Sequence, residues 1–406
     1  MTLIEEHSVK LDICVPKGDV NSKMETFYNP VMVSNRNISI ILLGALNQTG
    51  LRICDPMAGS GIRALRFLQE LNPTIISKLV INDVKADFAQ KFEQLCLMNK
   101  VSIDSVEVKK EELEKKDLEK KNLRKGDLEK NDLDKRESGK KVEVRVGDAN
   151  QLLNTERGFD YIDIDPFGTP NPFLASAVAK ISRKGILAIT ATDTAALTGT
   201  YPKVTQRKYW ATSLKNYMMH EIGLRILIRK VQLQGIQFEK ALIPVMSYHK
   251  DHYFRIYCRA AHGKEKCDEL IHEHEYLLWC NKCLQHERSK YNFKECCSKA
   301  MSYAGPLFTG KLGETELLAR MIKSNTFASE QELLEKLSSE VAHGVGFYDV
   351  HSFCKMLKID VPKLDLVLAA TNGTRTHFCD TGIKTSLNAQ EFKQILLNLH
   401  NKKESN

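Results

Sequence analysis

The chain has 406 residues and 42% hydrophobic content, enough for two domains with real cores. No apolar run approaches the ~20 residues of a membrane span, and Met1 to Lys10 carries Glu5 and Glu6 without the apolar stretch of a secretory signal, so no membrane association is expected. The net charge of +8 permits a polyanionic partner without demanding one, because residues 109–141 hold 13 Lys/Arg against 10 Asp/Glu and contribute much of it.

In chain order, residues 27–37 place two aromatics (Phe27, Tyr28), a proline and an arginine (Arg36) ahead of an apolar helix expected over 38–46. The segment reads either as a lid over a site or as helix capping by Ser34 or Asn35 with exposed aromatics. A strand over 51–54 runs into the turn Asp55-Pro56-Met57-Ala58-Gly59-Ser60-Gly61, followed by helical periodicity over 62–71. A second strand, 78–82, ends at Asp83; a helix over 85–99 carries Phe88, Phe92, Leu95 and Cys96 on one side. Five consecutive pentapeptides then fill 111–135, each with a central leucine. A step of five rotates a helix by about 140° beyond a full turn and alternates the faces of a strand, so neither structure buries those leucines together. This predicts a solvated, low-complexity insertion over about 104–141.

Beyond it, a strand over 142–146 ends at Gly147-Asp148-Ala149, and a strand over 159–164 ends at Asp165-Pro166-Phe167-Gly168. A helix near 171–182, a strand over 185–190 and a long helix over 209–233 follow. Residues 245–249 and 252–258 form a hairpin turned by Lys250-Asp251. From about 264 the composition shifts to cysteines, histidines and short charged helices, which sets a domain boundary between 1–263 and 264–406. Strands alternating with helices imply an α/β domain with right-handed crossovers and a mostly parallel sheet. Ligands of such sheets sit outside the carboxyl ends of the strands, where Asp55, Asp83, Asp148 and Asp165 all fall.

Gly59-x-Gly61-x-x-Ala64, after a strand and before a helix and with Asp83 downstream, suits an adenosine-containing cofactor. A dinucleotide site needs its first glycine directly after the strand so that pyrophosphate can approach the helix N-terminus. Here Asp55-Pro56-Met57-Ala58 intervenes, and Asp55 would repel pyrophosphate. A carboxylate there instead suits the ammonium of S-adenosylmethionine, with Arg63 or Arg36 for its carboxylate. In Asp165-Pro166-Phe167-Gly168 the proline holds the chain still, the carboxylate can accept hydrogens from a nucleobase amine, and Phe167 offers a stacking platform. The plain alternative is a strand-ending turn.

Eleven cysteines without an export signal read as reduced thiols or metal ligands in a cytoplasmic protein, a nuclear address being open if the source is eukaryotic. Cys280-x-x-Cys283 followed by the adjacent pair Cys296-Cys297 is a degenerate zinc ribbon. Neighbouring cysteines do not easily reach one tetrahedral ion; Cys280, Cys283, Cys296 and Cys297 are the candidate zinc ligands, and His286 or His274 could complete a site.

Together, FYNPVMVSNR (27–36), DPMAGSGIRALR (55–66), IND (81–83), GDAN (147–150), DIDPFGTP (163–170), HEIGLRIL (220–227), AGPL (304–307) and NGTRTHFCDTGIKT (372–385) resemble the tRNA (guanine-26-N2)-dimethyltransferase family in its compact archaeal-type form. The resemblance implies a Rossmann-like class I methyltransferase domain with a smaller α+β C-terminal domain, S-adenosylmethionine as donor, tRNA as partner and no obligate protein partner. It implies that Arg36, Arg63, Asp83, Asp148 and Ala149, with Asp55, bind the cofactor. Asp165 would accept the guanine amine hydrogens, and Phe27 and Phe167 would frame the base. Arg375, Thr376, His377, Lys384 and Thr385 look RNA-facing or interfacial. The family's second zinc pair has Lys294 at its first cysteine, which leaves the metal in doubt, and the pentapeptide insertion has no counterpart. Two rival readings share the cofactor residues: methylation of adenine or cytosine amines, and a non-catalytic tRNA-binding protein with a vestigial site.

Overall fold

The structure is a computed structural model and describes residues 2–13, 27–101, 107–110 and 141–404. The pentapeptides of 111–135 lie outside the described residues. The first hairpin, β1 (Thr2–Glu6) and β2 (Val9–Ile13), precedes α1 (Val33–Ala45), β3 (Leu51–Asp55), α2 (Ile62–Glu70), β4 (Ile76–Asp83) and α3 (Phe88–Met98). Next come β5 (Glu107–Lys110), β6 (Lys141–Val146), α4 (Ala149–Thr155), β7 (Phe159–Ile164), α5 (Leu174–Lys180) and β8 (Ile181–Ala191). Two short helices, α6 (Thr194–Leu197) and α7 (Pro202–Tyr209), lead to α8 (Met219–Ile236) and the hairpin β9 (Lys240–Lys250) and β10 (Tyr253–His262).

Eight of these strands form one sheet in the order β5-β6-β4-β3-β7-β8-β10-β9. All neighbours up to β8 pair in parallel, and β10 closes the sheet antiparallel to both β8 and β9. The chain order reverses about β3, with β4 on one side and β7 on the other, so the ligand crevice of the fold opens beside the ends of β3 and β7. The α/β expectation therefore holds. Phe88, Phe92, Leu95 and Cys96 are the buried face of α3, as their spacing predicts.

Three elements differ from expectation. Helix α1 begins at Val33 rather than at 38, because Asn29 accepts from Val31 N at 3.0 Å and Pro30 pre-sets the first turn. Ser34 and Asn35 are thus not caps but buried helix residues. Nor are the aromatics before it all exposed: Tyr28 is 7% accessible and bonds Glu6. The helix expected from Tyr209 begins only at Met219, because Trp210 takes a left-handed backbone, φ 55°, that ends α7. The region assigned to the insertion contains a real strand, β5, paired parallel to β6.

The remaining chain comprises α9 (Lys264–His272), β11 (His274–Trp279), β12 (His286–Ser289), β13 (Glu295–Cys296), β14 (Lys299–Ala300) and β15 (Ser302–Phe308). Then follow α10 (Thr315–Ser324), α11 (Gln331–Glu340), β16 (Tyr348–Asp349), α12 (Val350–Leu357), α13 (Leu364–Thr371), β17 (Thr374–Arg375), β18 (Gly382–Lys384) and α14 (Ala389–Glu404). Leu317, Met321 and Leu334 bury against the same cluster as Ile38 and Leu42 of α1, so α10 and α11 share packing with the large sheet's helices. Among the described residues no helix is long and apolar enough to cross a membrane.

One buried group near the chain's start holds several of these elements. Glu6, 3% accessible, accepts from Arg36 Nε at 2.7 Å and from Arg66 Nη1 at 2.8 Å, and takes the Tyr28 hydroxyl at 3.0 Å. Burial alone would raise its pKa, but Arg36 and Arg66 outweigh that and hold it below the usual carboxylate value. Replacing it leaves the buried Arg36 guanidinium without its carboxylate and takes one of two from Arg66, which keeps Glu70, a defect worth about 3–5 kcal/mol. Glu6→Ala is therefore expected to lower the urea unfolding midpoint markedly; a midpoint within error of wild type would mean that the hairpin is peripheral to the fold.

Candidate active site

At the carboxyl ends of β3, β4, β6 and β7 lies a cavity of about 680 Å³. Its floor is built by loops that the strand ends position. Gly61, φ 81°, caps α2 in the left-handed region, and a Cβ there would meet the Phe92 ring at 2.3 Å, so only glycine lets the loop lie this close to α3. Asn82 Nδ2 donates to the carbonyls of Pro56 and Gly147, both at 3.0 Å, and so joins the loops after β3 and β6. Asp83 accepts from Gly59 N at 2.9 Å and Lys85 N at 3.1 Å; Asp148 caps α4 through Gln151 N at 3.0 Å.

The Asp165-Pro166-Phe167-Gly168 loop is clamped to the end of β8. Gly168 N donates to Thr192 Oγ1 at 2.8 Å, and Thr192 N and Asp193 N donate to the Gly168 carbonyl at 2.9 and 3.2 Å. Phe167 stays 52% accessible and meets Phe27 edge-on, with ring centroids 4.5 Å apart. The two rings touch, and the pair forms an aromatic wall at the cavity mouth against which a flat ring can pack.

Beneath the loop is a buried ion cluster. Arg255 holds Asp163 through two bonds of 2.9 and 2.7 Å, with both side chains wholly buried. Arg63 lies 3.3 Å from Asp163, donates to Asn35 Oδ1 at 2.9 Å and Ser39 Oγ at 3.2 Å, and pairs closely with Asp165 Oδ2. Asp55, 1% accessible, is the third acid, and its Oδ2 has no hydrogen-bond partner among the described residues. Burial pushes Asp55 up to about 7; Arg63 opposes this, while Asp163 and Asp165 add to it. With three acids against two arginines, the cluster would gain from a cationic ligand group beside Asp55.

All nine residues predicted for catalysis and cofactor binding line this one cavity: Phe27, Arg36, Asp55, Arg63, Asp83, Asp148, Ala149, Asp165 and Phe167. Two differ from expectation in their company. Arg36 is not a free cation but the partner of Glu6, and Arg63 already serves Asp165. His252 and Tyr253, from the β9–β10 turn, also line the cavity. No sequence motif marks them, since only the antiparallel closing strand brings them to the site.

Cys280, Cys283, Cys296 and Cys297 converge, their sulfurs all within 4.8 Å of one another. The adjacent pair succeeds because Cys297 and Ser298, φ 53° and 60°, form the two-residue turn between β13 and β14. Sulfur separations of 3.5 Å (Cys283–Cys296) and 3.8 Å (Cys296–Cys297) are close to the ~3.8 Å edge of a tetrahedron with 2.3 Å zinc–sulfur bonds. The histidine expectation is overturned: His274 bonds Gln232 at 2.8 Å, and His286 packs on Tyr348. The C-terminal motif is largely interfacial. Lys384, 1% accessible, bonds Glu221 of α8 at 2.9 Å, Thr376 bonds Glu340 at 2.7 Å, and His377 accepts from His249 N at 3.1 Å.

The profile of the N2,N2-dimethylguanosine tRNA methyltransferase family matches residues 3–134 and 115–397. A tRNA (guanine(26)-N(2))-dimethyltransferase of Methanobrevibacter smithii is 34% identical over 98% of this chain and 97% of its own. A tRNA (guanine(26)-N(2)/guanine(27)-N(2))-dimethyltransferase of Aquifex aeolicus is 33% identical over 96% and 94%. Among solved structures, Trm1 from Pyrococcus horikoshii in complex with S-adenosyl-L-methionine superposes with a TM-score of 0.77 at 28% identity, covering 98% of this chain and 100% of that one.

The charge cluster makes a prediction of its own. A carboxyl whose folded pKa is raised from 3.8 to about 7 stabilises the fold fully at low pH and loses that contribution as pH rises through 7. Asp55→Asn removes the titration, so relative to wild type it should gain roughly 2–3 kcal/mol between pH 5 and pH 8. Urea unfolding at the two pH values tests this; a constant difference would mean that Asp55 is ionised throughout.

Proposed function

The chain belongs to the N2,N2-dimethylguanosine tRNA methyltransferase family, and from that premise we propose that it transfers one or two methyl groups from S-adenosylmethionine to the exocyclic N2 amine of guanine 26 in tRNA. The observation that carries this reading is the Asp165 carboxylate, held by Arg63 beside the Phe27–Phe167 pair that lines the cavity.

The donor set suits the cofactor. Asp55, with an orphaned buried oxygen, receives the ammonium, while the bonds of Asp83 to Gly59 and Lys85 hold its carboxylate at the second strand's end for ribose hydroxyls. Asp148 and Ala149 line the same cavity and would hold the adenine. Glu6 and the Asn29 carbonyl account for Nε and Nη2 of Arg36, which leaves Nη1 as its donor for a ligand carboxylate. When bound, S-adenosylmethionine supplies an electrophilic methyl group on a sulfonium.

The protein's share of the chemistry is positioning and charge stabilisation. The guanine leaves the stack and enters the cavity beside the Phe27–Phe167 pair. Its amine lone pair is delocalised into the ring and nucleophilically weak. Asp165 accepts an amine hydrogen, favours a pyramidal nitrogen and takes the proton released as the N–C bond forms and the methyl–sulfur bond breaks, the electron pair of that bond returning to sulfur. Arg63 occupies one carboxylate oxygen and so aims the other. Residues 1–263 carry this chemistry in our reading, and 264–406 are the family-specific part.

Two measurements bear on the reading. Unmodified tRNA incubated with labelled cofactor should yield N2-methylated guanosine, and changing guanine 26 should abolish incorporation. Asp165→Ala should lower kcat at least 100-fold while labelled cofactor is still retained. Unchanged incorporation after replacing guanine 26 sinks the assigned target.

We also infer that the four cysteines hold a structural zinc ion, on the sulfur separations given above. Purified protein should then carry one equivalent of zinc by elemental analysis, and Cys283→Ser should lose it together with several degrees of Tm. Metal-free protein with the same Tm would show the cysteines to be ordinary reduced thiols.

A further inference from the structure

The family resemblance directs attention to the C-terminal motif for RNA contact, but Lys384 is buried there on Glu221. A different surface is both cationic and open. Residues 194–220 hold Lys203, Arg207, Lys208 and Lys215 and not one Asp or Glu, although 51 of the 406 residues are acidic. The centre of this stretch is α7. Its Thr205 and Tyr209, one turn apart, are wholly buried, while Lys203 and Arg207, also one turn apart, are exposed.

Two aromatic side chains bracket the helix, Tyr201 at 58% and Trp210 at 51% accessibility. Trp210 is exceptional twice over. A bulky residue at φ 55° is costly, and such strain persists where the surroundings over-determine it. Here the surroundings do so: Arg229 Nη1 donates to the Trp210 carbonyl at 3.3 Å, and the Lys230 ammonium lies 3.1 Å from the ring centroid. Burial and the neighbouring Arg229 draw Lys230 down to about 8, so it remains mostly charged at neutral pH. One face of the indole is thus fixed on a cation, and the open half is left as a rigid platform.

The platform is tied to the catalytic loop. Asn171 Nδ2 donates to the Lys208 carbonyl at 2.9 Å, the Tyr209 hydroxyl donates to Thr169 Oγ1 at 3.1 Å, and Lys208 pairs with Asp193 at 2.8 Å. Thr169 and Asp193 adjoin, in sequence or by hydrogen bond, the Gly168 that ends the Asp165 loop. Packing therefore accounts for Tyr209, Thr205 and Lys208, but not for Lys203, Arg207, Tyr201 and the open face of Trp210.

We propose that α7 with Tyr201 and Trp210 is an RNA-docking surface beside the active-site mouth, where Lys203 and Arg207 bind phosphates flanking the target guanine and Trp210 stacks on a neighbouring exposed base. This rests on the reading of the protein as a tRNA methyltransferase. A basic helix and open aromatics with no acid between them match what single-stranded or unstacked RNA requires. The same element that anchors the RNA braces the loop bearing Asp165, so docking sets where the amine arrives.

The test compares wild type, Lys203→Glu/Arg207→Glu and Trp210→Ala for binding of a tRNA transcript across 50–300 mM salt, with labelled-cofactor retention and thermal melts alongside. The charge-reversed double variant, confined to exposed side chains, should bind tRNA at least tenfold more weakly at 150 mM salt. Its log–log salt slope should fall by about 1–2, with cofactor retention unchanged. Trp210→Ala should bind roughly 5- to 100-fold more weakly with the slope preserved. If wild type binds tRNA and the folded double variant binds it with the same affinity and slope, the surface is not a docking site, whatever Trp210→Ala does. If wild type retains cofactor but binds no tRNA, the methyltransferase reading fails and this inference with it.

Discussion

The arrangement of Asp163, Arg63, Asp165 and Arg255 is the constraint on which the site depends. A carboxylate fully inside a protein persists only if its charge is matched by well-placed donors, and Arg255 takes both oxygens of Asp163 while Arg63 lies at Oδ2. Arg63 is then not free to choose its other contacts. It reaches Asp165, Asn35 and Ser39, and in doing so fixes α1 and α2 against the ends of β7 and β8. Arg255 and Arg63 hold Asp163 down, while burial raises Asp55 to about 7 and leaves it only partly ionised near neutral pH. The site is thus built around a deficit of positive charge.

The scaffold repeats this device away from the chemistry. Glu6 gathers Arg36, Arg66 and Tyr28, and Glu221 gathers Arg225, Lys384 and the Gly346 amide. Lys384 and its neighbours consequently act as a keystone between α8 and the C-terminal segment. Their tie to α8 explains why a polar, chemically suggestive motif lies inside, and it shifts the burden of RNA recognition to surfaces that packing leaves free.

Much of the site was legible before any coordinates. The four acids at strand ends follow from period and turn chemistry, since a buried parallel strand must end where its apolar run ends and the next residue faces the crevice. The contact between Phe27 and Phe167 was legible only as two separate aromatic residues. The adjacent cysteines were misjudged because a left-handed turn at Cys297 and Ser298 is not visible in residue type: neither is glycine or asparagine. Trp210 hides a helix end for the same reason, inside a run, 203–222, that contains neither glycine nor proline.

Strand alternation, the glycine loop and the order of acids are local properties, set by residues near one another in the chain, and the sequence by itself determined them along with the parallel sheet. What only the tertiary structure decided is which charges meet. Glu6 reaches Arg36 and Arg66, Arg255 reaches Asp163 across 92 positions, and the turn at His252 and Tyr253 joins the cavity. Burial makes each pairing strong, and burial is a property of the whole fold. The same arginine reads as a ligand donor in isolation and as a brace once its partner is known.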